Sequence, residues 1–118
     1  MNQAQIDCQQ LRIKHILYKS KVRSVLYGGN YEAAFFSSSG PLSAWFQTIA
    51  FERYQDSVEI QQLSVLHREM CQLVNELIGL YQSGKIEEAH DGFKAVESKS
   101  EEFLSLLTRL ENRVAVAF

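Results

Sequence analysis

Apolar residues recur at alternating steps of three and four along three long stretches of this chain, the spacing of one helix face. The first stretch, Gln3 to Tyr27, carries the stripe Cys8, Leu11, His15, Tyr18, Val22 and Val25, and Gly28-Gly29 supplies a helix stop behind it. The second starts at Asp56, where Glu59 three residues on reads as a capping box, and runs to about Ser83. Its stripe is Ile60, Leu63, His67, Met70 with Cys71, Val74, Leu77 with Ile78, and Tyr81. Gly84-Lys85 predicts a tight turn. The last stretch begins at Ile86 and continues almost to the end, with Ala89, Phe93, Val96, Ser100, Phe103, Leu107, Leu110 and Val114 facing inward.

Residues 28–40 show no period. Pro41 suits the first turn of a short helix from Leu42 to about Thr48, and its Trp45 and Phe46 are expected to plug an end of the bundle. Residues 49–55 favour neither helix nor coil. Helices joined by short turns lie antiparallel. The expected fold class is therefore all-α: an up-and-down four-helix bundle with a short extra helix in the long first connection, one domain over residues 1–118.

Composition agrees and removes some partners. One proline and six glycines leave few helix breakers. Apolar residues at 46% and charged residues at 22% can fill a core without a metal or disulfide. A net charge of -2 offers no basic excess to a nucleic-acid backbone. No run reaches the length of a membrane span, and the N-terminal residues lack the pattern of a secretory signal. Two cysteines are too few for a disulfide framework, so reduced thiols and a cytoplasmic location are expected.

Three positions on the apolar stripes are not hydrocarbon: His15, His67 and Cys71. His67 and Cys71 stand four apart, which places both on one helix face about 5–6 Å apart at Cβ. A tetrahedral zinc takes N and S donors at about 2.0–2.3 Å, and such a pair can grip it from two sides. His15 is at the mid-stripe position to add a third ligand from the facing helix. The alternative is a set of hydrogen-bonded core histidines beside an inert buried thiol. Cys8 lies roughly 10 Å from His15 along the helix axis and is a poor candidate for the same ion.

The segment from His15 to Gly29 resembles the opening of the bacterial chemoreceptor zinc-binding (CZB) family, which starts with a helix bearing a His and a following aromatic residue. The family continues with Cys-x-[Leu/Phe]-Gly-x-Trp and then His-x-x-x-His on the third helix. Here Gly40-Pro41-Leu42-Ser43-Ala44-Trp45 and His67-Arg68-Glu69-Met70-Cys71 stand in those places. Leu42 and Trp45 match. Gly40 replaces the cysteine, Ser43 the glycine and Cys71 the second histidine. The tail from Ala95 to Leu107 is also similar, and the likeness spans about residues 4 to 111.

The resemblance implies a four-helix zinc-binding module of bacterial signalling proteins, often homodimeric and found with chemoreceptors and diguanylate cyclases. The usual ligands are three His and one Cys. Carried onto this chain, they leave His15, His67 and Cys71 as metal ligands, with water or another group in the fourth position. In the competing reading the chain keeps the fold as a metal-free helical adaptor or dimerisation protein of signalling. Either way, no thiolate stands at Gly40.

Other chemistry recedes. There is no Ser-His-Asp order, phosphate-cradling glycine loop or His-Glu-x-x-His helix, and Glu69 is expected to point off the His67–Cys71 face. The chain is therefore expected not to be an enzyme. His90 reads as a solvated residue of the last helix, and Lys99-Ser100-Glu101-Glu102 as an exposed face. Tyr31, Phe35, Phe36 and the run Val114 to Phe118 either pack on the bundle's ends or form a self-association surface, so a homodimer is expected.

Overall fold

The computed structural model describes residues 2–116. Helix α1 spans Gln3–Leu26, and the side chains of Asn2 and Gln5 cap it reciprocally, Asn2 accepting from the Gln5 amide and Gln5 from the Asn2 amide. It ends at Gly28, whose positive φ of 98° suits glycine, and the Gly29 amide donates to the Ser24 carbonyl at 2.7 Å. The long helices α5, Val58–Gln82, and α6, Ile86–Val116, keep to the predicted stripes. Gly84, with φ 85°, turns the chain between them.

The ends fix the directions. The Asn2 side chain donates to the Val114 carbonyl at 3.3 Å, and His90 reaches the Leu26 carbonyl at the other end. So α1 and α6 are antiparallel, α5 and α6 are antiparallel, and α1 runs parallel to α5. The core is continuous along this bundle, with Leu11, Leu63, Met70, Phe103 and Leu107 fully enclosed. The molecule measures 51 × 24 × 21 Å.

The fourth leg is bent and short. It consists of α3, Pro41–Trp45, a π-helical turn, Phe46–Ala50, and α4, Phe51–Arg53. The ambiguous residues from 49 onward are thus helical as far as Arg53. The extra turn α2, Ala33–Phe36, lies in the stretch expected to be irregular. The π turn moves Phe46 away from the bundle's end: its ring stacks on His67 and meets Phe103 edge-on, both near the middle of their helices. Trp45 alone stays beside Tyr54 lower in the bundle.

Three further expectations need correction. Helix α5 is capped by Ser57, whose hydroxyl accepts from the Ile60 amide at 3.2 Å, not by Asp56; Glu59 pairs with Arg113 at 2.7 Å. His90 is half-buried, stacked on Tyr27 at 4.0 Å, because its imidazole caps the end of α1. Ser100 is fully buried, while Glu101 and Glu102 are exposed. Of the two readings of Phe35 and Phe36, the packed one holds: both rings lie against Tyr18 of α1. Ala117 and Phe118 lie outside the described residues.

At the lower end a buried carboxylate ties the bent leg to α1. Asp7 is 1% exposed. It accepts bonds from Arg53 Nη1 (3.0 Å to each oxygen), the Tyr54 hydroxyl (2.6 Å) and Gln3 Nε2 (3.0 Å). Burial and this bond to Asp7 hold the Tyr54 phenol protonated well above its ordinary range.

Candidate functional site

The bent leg stops short of α5 along part of its length and leaves a cleft of about 400 Å³. Ser43, Phe46 and Gln47 form one wall and Ser64, Arg68 and Asn75 the other, with His67 and Cys71 at the base. The i,i+4 spacing on α5 brings His67 and Cys71 together as the sequence predicts. Cys71 Sγ lies 3.5 Å from His67 Nε2 and 3.8 Å from Nδ1. The Tyr18 hydroxyl donates to the same sulfur at 3.4 Å, and Ser43 Oγ stands 2.9 Å from His67 Nε2.

His15 is fully buried on α1, its ring stacked on Phe103 at 4.2 Å. Its Nε2 bonds to Ser100 Oγ at 2.8 Å. Its Nδ1 has no hydrogen-bond partner. The structure therefore places His15 toward α6 rather than against the pair on α5, because Ser100 and Phe103 hold the ring from the α6 side. The two imidazoles are linked through Phe103 and Phe46, and the proximity is close enough for their charges to oppose each other. Among the described residues, no three His, Cys, Asp or Glu side chains converge as a ligand group.

Burial sets the protonation states. Desolvation lowers His15 to about 4, helped by the opposing charge of His67. Desolvation also lowers His67 to about 4, and the neighbouring Arg68 adds to the shift. Both rings are thus neutral at pH 7 and carry a free lone pair. Burial pushes the Cys71 thiol up, against a smaller opposite pull from the Tyr18 hydroxyl. Glu69 is turned outward to Lys99, 3.3 Å away.

The donor chemistry fits zinc in two respects. Two ligands of one tetrahedral zinc, at bond lengths of about 2.0–2.1 Å for N and 2.3 Å for S, stand about 3.5–3.6 Å apart. The 3.5 Å between Cys71 Sγ and His67 Nε2 meets that spacing, on the nitrogen that Ser43 also contacts. The Nδ1 of His15 has no partner and its ring is oriented by Ser100 through the other nitrogen, as ligand histidines commonly are, but it does not converge with the α5 pair. A thiolate at position 40 does not fit: a Cβ there would stand 1.9 Å from the Phe35 carbonyl oxygen. Ser43 and Ser100 are the residues whose roles the sequence hid; both are small hydroxyls that only the fold brings to a ring nitrogen.

Among the described residues, no helix is long and apolar enough to cross a membrane. No protein-family model, curated protein or solved structure matches this chain.

Proposed function

We propose that this protein is a bacterial cytoplasmic regulatory domain that binds zinc and passes its metal state to a signalling partner of the chemoreceptor or diguanylate cyclase kind. The carrying observation is the pairing of a 3.5 Å His67–Cys71 contact with a buried His15 nitrogen that has no partner. His67 and Cys71 would hold the ion from α5, and His15 would add a ligand from α1 by swinging its free Nδ1 away from the α6 side toward them. Zinc bound there supplies a cross-link between two parallel helices that otherwise meet mainly through side-chain packing. Neutral imidazoles accept it without losing protons, and the Cys71 thiol releases one. Ser100 orients His15, and Phe46 shields His67 from water on one side. The turn of Glu69 toward Lys99 favours regulation over catalysis. A homodimer belongs to this reading, and light scattering that finds only monomer at high concentration removes it.

The test is the zinc content of protein purified without affinity tag or chelator. Near one zinc per chain, lost in His67→Ala and in Cys71→Ala, supports the proposal. Zinc far below one per chain, with melting unchanged by a chelator, overturns it. A second reading, a metal-free helical adaptor, is favoured by the two serines: Ser43 on His67 and Ser100 on His15 give each ring one partner without any metal.

A further inference from the structure

Helix α1 has an outer face that nothing in the bundle uses. Ile6, Ile13, Ile16 and Leu17 stand on it, 37%, 65%, 51% and 44% exposed. Single exposed apolar side chains are ordinary, but four within about three turns of one helix form a patch. β-branched isoleucine is also a weaker helix former than the straight-chain residues usual on a helix exterior, so these positions gain nothing locally. The spacing is that of a seam. Ile6, Ile13 and Ser20 are seven residues apart, with Gln9 and Ile16 at the intervening step of three. This is the a/d pattern with which one helix receives another.

The flanking residues of the helix itself carry one sign, although Arg12 and Lys21 already pair with Glu111 and Glu32. Helix α1 holds five of the chain's twelve Lys and Arg but one of its fourteen Asp and Glu, and that one, Asp7, is buried. Arg12 and Lys19 occupy the positions that border such a seam and meet the partner's charges, Lys19 without an acidic partner among the described residues and Arg12 shared with Glu111 of α6. Lys14 and Lys21 lie on the opposite flank. Lys14 and Lys19 have no acidic partner among the described residues.

We propose that the outer face of α1 is a docking surface for a helix of another protein, one with an apolar heptad seam bordered by Glu or Asp. Charge complementarity selects this occupant. A second copy docking through its own α1 sets cation against cation, which disfavours that pairing. The acidic helix α6 of a second copy offers no seam, since Ile86 is its one large hydrophobic residue that is exposed among those described. A lipid surface is the weaker fit. Helices that lie on membranes present broad Trp-, Phe- and Leu-rich faces, and this one is narrow and interrupted by Gln9 and Ser20.

The surface is independent of the metal reading, and so is its test. Two synthetic three-heptad peptides are titrated into the labelled protein, both with Leu and Ile at the seam. One has Glu at the flanking positions and the other Lys. The expected result is that the Glu peptide alone shifts the amide resonances around Ile13 and Ile16. Binding should weaken at least tenfold in Ile13→Glu and fall as salt is raised. The double variant Arg12→Glu, Lys19→Glu should prefer the Lys peptide. Ile13 is exposed, so unchanged melting of its variant controls for the fold; the double variant is melted too, because Arg12 also pairs with Glu111. Equal binding of both peptides, or binding of neither at millimolar concentration, overturns the proposal. It is equally overturned by self-association that Ile13→Glu abolishes, or by binding to phosphatidylserine vesicles in place of the Glu peptide.

Discussion

Two buried polar clusters sit in this bundle, and they differ in completeness. At the lower end, the Asp7 carboxylate accepts four bonds from Arg53, Tyr54 and Gln3 and has no capacity left. Near mid-height, His15 keeps an unpartnered nitrogen, His67 shares one nitrogen between a hydroxyl and a sulfur, and a cleft opens over His67 and Cys71. A saturated network locks its elements in one arrangement. An unsaturated one, enclosed at comparable desolvation cost, leaves room for a further partner. The first cluster is a clasp, and the second is where chemistry can enter.

The strongest way to break this contrast is acid. In metal-free protein, His15 and His67 titrate near pH 4 when folded and near 6.5 when unfolded, so the unfolded chain binds more protons between those values. Stability is full above pH 6.5 and should fall on the order of 3 kcal/mol per ring as pH drops to about 4. Urea midpoints across that range test this, and His67→Gln should flatten the profile. A level profile in the unaltered protein would refute the neutral-ring assignment.

Opening the clasp comes next. Asp7→Ala strands the Tyr54 hydroxyl and the Arg53 guanidinium, at about 2–4 kcal/mol, or roughly 10 °C in melting temperature. Gly40→Cys, which would place a thiol beside the start of α3, should instead cost about 1–3 kcal/mol through its clash with the Phe35 carbonyl and leave zinc uptake unimproved. Ser57→Ala should cost about 1 kcal/mol, while Asp56→Ala stays within about 0.5 kcal/mol, as denaturant melts will resolve. The smallest effect is the sharpest. His15→Leu, of similar volume, should change metal-free stability by less than about 1 kcal/mol, since Ser100 can turn to its own helix's carbonyl. The same variant should lose zinc. A clasp residue and a site residue, equally buried, would then part in stability as well as in metal content.

The three long helices were legible because burial of one face repeats every 3.6 residues, and each of the six stripe positions from Cys8 to Val25 is buried. The bent leg was not, because a π turn breaks that period between Phe46 and Ala50. Asp7 was not legible either, because a charge beside Cys8 reads as an edge residue, and its partners Arg53 and Tyr54 are distant in sequence. His15, His67 and Cys71 were legible as polar positions on apolar stripes. Which nitrogen each ring leaves open depends on Ser100 and Ser43, brought in by tertiary packing. The carbonyl of Phe35 explains why glycine stands at position 40, a contact between residues that the sequence alone does not bring together.

The π turn also gives the bent leg a tolerance of length. It accommodates one residue more than an α-helix would over the same span. Deleting a single residue such as Thr48 should let positions 41–53 settle into one regular helix whose two ends keep their faces, so that Ser43 and Phe46 stay beside His67. The same loss inside α5, between His67 and Cys71, has no wide turn to absorb it and swings one of the pair by about 100° about the helix axis. Of two equally small in-frame genetic events, the loss of a codon in the leg leaves the site standing and the loss of a codon in α5 takes it apart.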